Sequence, residues 1–109
     1  MFNKVFNTFR TALHYCLEHS SPNCIRILLN YAAADPNIPD QYLLTPLHYC
    51  ALHNGEESLQ ELLDFNDIQI QVYDQNKRLP LHYAAASGNV TILSALTDVM
   101  RNHSWKHFH

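Results

Sequence analysis

The stretch Thr45-Pro46-Leu47-His48-Tyr49-Cys50 occurs three times in this chain, once upstream and once downstream of itself in altered form. The upstream copy is Thr11-Ala12-Leu13-His14-Tyr15-Cys16 and the downstream copy is Leu79-Pro80-Leu81-His82-Tyr83-Ala84, each 34 residues from the next. A fixed period of this size marks an array of stacked supersecondary units. The six residues also predict local structure. The Thr45 hydroxyl suits an N-cap, where it accepts a backbone N–H of the first helical turn. Pro46 then falls at the first helical position, where a missing N–H costs nothing. Leu47, Cys50 and Ala51 share one face by their three- and four-residue spacing. Each copy therefore predicts a short helix with one buried stripe.

Outward from these stretches, the first helix is expected over 12–19 and a second from Ser21-Pro22, which repeats the cap-plus-proline pattern. Its apolar set is Ile25, Leu28 and Leu29, and Pro36 ends it by biasing Asp35 away from helical angles. A loop over 37–44 follows. In the middle unit Gly55 is expected to stop the first helix by taking left-handed angles. A helix over 56–65 then presents Leu59, Leu62 and Leu63 ahead of a loop over 66–78. The third unit has helices over 80–87 and near 90–100, the latter showing Ile92, Ala95 and Leu96. Leu59 and Ile92 are 33 rather than 34 residues apart, which predicts one residue missing from the turn between the helices. The last helix also carries Val90, Leu93, Val99 and Met100, which is very apolar for the end of a stack in water. Either a longer array or a partner is expected to cover that end.

The chain has 109 residues, enough for one domain. Apolar residues make up 47% and charged ones 16%, which places it among globular rather than disordered chains. A formal charge of −3, with seven dispersed Lys and Arg, forms no basic stripe, so nucleic acid and anionic membrane are not expected partners. No apolar run reaches the ~18 residues of a membrane span. Met1 to Asn7 is broken by polar residues and does not read as a signal peptide. Cys16, Cys24 and Cys50 form no CxxC pair, and free thiols predict a cytoplasmic or nuclear location. In such a compartment the sequons at Asn89 and Asn102 carry no meaning.

The Thr-Pro-Leu-His-Tyr-Cys stretch and its two copies resemble the signature of the ankyrin-repeat family, whose pattern is T-P-L-H-x-A. Leu79 departs from it where Thr is usual. The resemblance covers roughly residues 3–102. It implies an all-α solenoid of three helix-turn-helix units with β-hairpin-like loops, at about 11–44, 45–78 and 79–102, with 103–109 as a tail. Asn3 and Arg10 match the end of such a loop, so the chain is expected to begin inside a repeat. The family's usual task is binding other proteins, so no catalysis and no cofactor are expected. Leu43 and Lys77 stand where the family usually has Gly near the loop tip.

His14, His48 and His82 form a ladder that invites a metal or proton-relay reading. The resemblance instead implies structural roles for Thr11, His14, Thr45, His48 and His82, the His bonding the capping Thr and nearby backbone. Leu79 has no hydroxyl, so His82 needs a different partner. His14 with Cys16, and His48 with Cys50, imitate nucleophile–base pairs, but residues two apart on a helix do not face each other. The cysteines occupy the slot of Ala84 and read as small core residues. Tyr15, Tyr49 and Tyr83 form a second ladder, read as core with the hydroxyls at the rim. His103 and His107 would share a helix face, and with His109 they are the only imaginable metal site; a frayed end is the plainer reading.

The loops carry the better candidates, because Ile38, Tyr42, Leu43, Val72 and Tyr73 place apolar side chains on segments expected to be exposed. The face of the first helices adds Glu18, His19, Leu52, His53 and Ser87. The expected function is non-catalytic binding of another protein through loop tips and the concave face of the first helices. A regulatory segment of a larger enzyme or ion channel is the alternative. A metal-binding protein built on the eight His is a third reading.

Overall fold

Three Pro or Thr-Pro starts and their 34-residue echoes set the helices of the chain. The computed structural model describes residues 11–19 and 21–107, with side chains through 102. The helices are α1 (Ala12–Glu18), α2 (Pro22–Tyr31), α3 (Pro46–Leu52), α4 (Glu56–Leu63), α5 (Pro80–Ser87) and α6 (Val90–His107). The described residues hold no strand, and the fold is an all-α repeat. Helices α1, α3 and α5 lie side by side in one row and α2, α4 and α6 in a second, each first-row helix against its own second-row helix. Leu13, Leu17, Leu47, Cys50, Ala51 and Ala84 of the first row are buried against Ile25, Leu59, Leu62, Ile92 and Leu96 of the second. No unit could hide these faces alone, so the stacking itself supplies the core.

Two expectations at the inter-helix turns are overturned. α2, α4 and α6 begin at residues 22, 56 and 90, so the period is 34 in both rows and no residue is missing. The structural mate of Ile92 is Ser58, and Leu59 corresponds to the half-buried Leu93. Adjacent positions on a buried helix face both accept apolar residues, and aligning by leucines alone therefore slipped the register by one. The second correction concerns Gly55, whose φ is −80°; the left-handed residue is Asn54, at φ 54°. Gly55 serves a close approach instead: a Cβ there would sit 3.3 Å from Cys50 Sγ, so the sulfur would have to give way by a few tenths of an ångström. In the third unit Gly88 does take left-handed angles, at φ 72°. α6 also continues past Met100 to His107.

The loops before α3 and α5 make a tight turn but no strand ladder. Asp40 N–H donates to the Leu44 carbonyl (2.9 Å) and Leu43 N–H to the Asp40 carbonyl (3.0 Å). Asp74 N–H donates to the Arg78 carbonyl (2.9 Å) and Lys77 N–H to the Asp74 carbonyl (3.0 Å). One backbone bond joins the two loops, from Gln75 N–H to the Tyr42 carbonyl at 2.9 Å. Leu43 and Lys77 hold φ of 62° and 61°, a conformation that glycine takes without steric cost. Lys77 is exposed, so replacing it changes little else. Lys77→Gly is expected to raise stability by about 0.5–1 kcal/mol, the relief of left-handed strain less the added freedom of the unfolded chain. Urea denaturation checks this, and an unchanged or lower midpoint would show that the turn carries no strain.

Candidate functional site

The candidate surface rests on a buried network that repeats with the chain. Thr11 caps α1 and Thr45 caps α3, each exchanging bonds with the histidine three residues on. Thr11 N–H donates to His14 Nδ1 at 3.0 Å, and Thr45 N–H to His48 Nδ1 at 3.1 Å. The two hydroxyls lie 2.9 Å from the same ring nitrogens. On its far side His14 Nε2 meets the Leu44 carbonyl, and His48 Nε2 the Arg78 carbonyl, both at 2.9 Å. A carbonyl only accepts, so Nε2 carries the proton and Nδ1 is the acceptor: both rings are neutral. Each histidine thus ties its own helix cap to the end of the next loop.

A tyrosine of the following unit packs edge-on against each of these rings. The Tyr49 ring centroid is 4.6 Å from that of His14, and Tyr83 is 5.9 Å from His48. The tyrosine hydroxyls were expected at the rim. They bind carboxylates instead: Tyr49 Oη donates to Asp40 Oδ2 at 2.6 Å, and Tyr83 Oη to Asp74 Oδ2. The other carboxylate oxygen closes the loop. Asp40 Oδ1 accepts from Tyr42 N–H (2.8 Å) and Leu44 N–H (2.9 Å), and Asp74 Oδ1 from Asn76 and Arg78 N–H (both 2.9 Å). Burial would raise the Asp74 pKa, but the hydrogen bonds from Tyr83, Arg78 and Asn76 and the nearby His48 outweigh it and hold it below 3.8. Burial and then the bond to Asp74 raise that of Tyr83.

Burial also holds the His48 pKa below 6.5, against the opposing pull of the Arg78 carbonyl and the Asp74 and Asp40 carboxylates. The unfolded chain binds a proton on this group near pH 6.5, whereas the folded chain binds it only at lower pH. Stability from His48 is therefore complete above 6.5 and drains away as pH falls toward the folded value. The melting temperature is expected to be lower at about pH 5.5 than at about pH 7.5, and a flat profile would show that the ring gains its proton without cost.

His82 stands in the third copy without a hydroxyl beside it. Its Nδ1 accepts Leu79 N–H at 2.8 Å, and the side chain is exposed. The thiols of Cys50 and Cys16 pack in or against the core, whereas Cys24 is exposed. Cys50 is buried, donates to the Gly55 carbonyl at 2.8 Å, and has its pKa pushed up to about 12 by burial. Burial, and then neighbouring Cys24, raise that of Cys16.

Of the candidate binding residues, Tyr42 and Tyr73 are 49% and 58% exposed. Leu43 is exposed as well, while Ile38 and Val72 are half-buried. The bond from Gln75 N–H to the Tyr42 carbonyl sets the two loops side by side. Glu18, His19, Leu52, His53 and Ser87 are all exposed, at or next to the C-terminal ends of α1, α3 and α5. His19 and His53 share one register and Glu18 and Leu52 another, so they form rows across the units.

A family model described as ankyrin repeats (3 copies) matches residues 2–74 and 34–105. The chain belongs to the ankyrin-repeat family. No curated protein matches it in sequence. Ankyrin repeats are in general protein–protein interaction modules and are typically non-catalytic. Among the described residues of this ankyrin chain no three His, Cys, Asp or Glu side chains converge as metal ligands. The tail histidines His103, His107 and His109, and the Asn3 and Arg10 loop positions, lie outside the described residues or side chains. No helix among the described residues is long and apolar enough to cross a membrane.

Sequence reasoning missed Asp40 and Asp74, which build both loops and seat both tyrosines. Their signal was present: they are 34 residues apart, nine before Tyr49 and Tyr83. It also missed Asn37, which donates to the Asp67 carbonyl and accepts Gln69 N–H, both at 2.9 Å, bridging the segments that follow α2 and α4. Asn89 does similar work at the next turn, donating to Asn54 Oδ1 and accepting Ile92 N–H, both at 3.0 Å.

Proposed function

We propose that this chain is a non-catalytic module that binds another protein, rather than nucleic acid or a membrane, through its loop tips and the exposed face of α1, α3 and α5. The units of the module are 11–44, 45–78 and 79–102, and its three free thiols fit a cytoplasmic or nuclear setting. The observation that carries the reading is the exposure of Tyr42 and Tyr73 on adjacent loops whose backbones are internally bonded. Large aromatics on a rigid base supply contact area at little ordering cost, which is where interface energy concentrates. The rows of Glu18, His19, Leu52, His53 and Ser87 add a mixed polar face that suits the rim of a contact.

The test is the double variant Tyr42→Ala with Tyr73→Ala, used with the wild-type chain to capture partners and then to measure affinity for those captured. Helical circular dichroism and melting are expected to stay as in wild type, since both rings are exposed. Affinity is expected to weaken by about tenfold or more, the loss of two exposed hot-spot rings. Unchanged affinity removes the loops from the binding site.

A further inference from the structure

Two cysteines of the first unit, Cys16 on α1 and Cys24 on α2, meet across the packed helix pair. In the 34-residue register Cys16 corresponds to Cys50 and Ala84, and Cys24 to Ser58 and Ile92. Both members of this pair are buried in the second unit and again in the third. The two positions therefore lie on the faces that the helices of one unit turn toward each other. In the first unit these faces bring two thiols together. α1 packs on α2, and Ser21 N–H donates to the Cys16 carbonyl at 3.2 Å just before α2 begins. The Cys24 thiol is near enough to hydrogen-bond that of Cys16. Both are free, Cys16 half-buried against the core and Cys24 exposed. Cys50 has no such neighbour, since Ser58 stands where Cys24 does, and its buried thiol is held by the Gly55 carbonyl at 2.8 Å.

We propose that Cys16 and Cys24 are a redox pair, which closes into a disulfide across α1 and α2 when the chain meets a small-molecule disulfide such as oxidised glutathione. The Cys24 sulfur, which solvent reaches, gives up its proton and attacks one sulfur of the oxidant. A bond forms between Cys24 Sγ and one glutathione, the glutathione S–S bond breaks, and the other half leaves as a thiolate that takes up a proton. Cys16 Sγ then loses its proton and attacks Cys24 Sγ. Their bond forms as the bond from Cys24 to glutathione breaks, and the second glutathione leaves and takes up the proton. Two protein thiols are oxidised by two electrons and one glutathione disulfide is reduced to two thiols, so electrons and protons balance.

Burial raises the Cys16 pKa, which suits this partly covered sulfur to the second step rather than the first. Excess reduced glutathione runs both steps backward, so the bond follows the redox poise of its surroundings. It lies wholly within the first unit and involves neither Tyr42 nor Tyr73. Folding holds the two sulfurs together, and by linkage a bond that folding favours also favours folding.

Equilibrating the intact chain in glutathione buffers of graded composition, then quenching with acid, alkylating and mapping peptides without reduction, tests this. The wild-type chain is expected to protect two of its three thiols, linked as Cys16 to Cys24, with Cys50 alkylated once the chain is unfolded. The oxidised chain is expected to melt at least about 5 °C above the reduced one. Half-oxidation is expected at a glutathione ratio about tenfold or more toward the reducing side of that found in urea, where the pair is no longer held. Cys16→Ser is expected to stop with one glutathione on Cys24. Cys50→Ala, which copies Ala84, is expected to form the link as the wild-type chain does; circular dichroism confirms that both variants fold. Four results overturn the proposal: glutathione retained on wild-type Cys24 beside a free Cys16, a link through Cys50 or between chains, an oxidised chain that melts no higher, or the same half-oxidation ratio folded and in urea.

Discussion

Replacing His48 by alanine is expected to lower stability by about 3 kcal/mol, from lost buried hydrogen bonds and the cavity left behind. The ring is fully buried and occupies the contact between the second and third units. Without it, Thr45 N–H at 3.1 Å and the Arg78 carbonyl at 2.9 Å lose their partner, and the Tyr83 ring loses the edge it rests on. Thr45 is itself buried, so water does not readily take the place of the imidazole. In a stack of nearest-neighbour units, such a loss falls on one interface and releases the unit beyond it. Helices α5 and α6 should therefore exchange their amide hydrogens faster than α1 to α4 in the variant. His82→Ala is the matched control, because that ring is exposed and has no loop beyond it among the described residues; its cost is expected within about 0.5 kcal/mol. Equal urea midpoints for the two variants would refute the inter-unit role assigned to His48.

The period, the helix starts and the capping partnership of Thr and His were legible in the sequence because each depends on contacts between residues a few positions apart. Thr45, Pro46 and His48 specify one another within a single turn, so residue identity alone carries the geometry. The loops were less legible. Asp40 can close its turn only because Leu43 adopts left-handed angles, and leucine does not announce that conformation. A glycine there would have marked the turn, and Lys77 conceals the second one in the same manner. Gly55 misled in the opposite direction, since its small size serves a close approach to Cys50 while Asn54 takes the unusual φ. Burial at the ends of the stack could not be read from periodicity, because Tyr15 and Tyr49 are the same residue in the same register. What separates them is whether a preceding described unit lies against the ring.

Removing the carboxylate of Asp40 is expected to cost nearly as much as removing His48, although it lies in a loop. Asp40 is buried and accepts three bonds: 2.8 Å from Tyr42 N–H, 2.9 Å from Leu44 N–H and 2.6 Å from Tyr49 Oη. Hydrogen bonds to a charged acceptor contribute more than neutral ones, and Asp40→Ala is expected to destabilise by about 2–3 kcal/mol. Tyr49→Phe removes one of the three bonds and leaves the turn closed, so its cost is expected to be about 1 kcal/mol. The pair of variants separates two effects that Asp40 combines. One is the seating of Tyr49 beside His14, which joins the first two units; the other is the shape of the turn that presents Tyr42. If that turn orients Tyr42 for a partner, Asp40→Ala weakens binding at temperatures where the chain is still folded, and Tyr49→Phe does not. Equal losses of affinity in both variants would mean that the unit interface, rather than the loop, governs recognition, and the Tyr42 assignment would fall with that result.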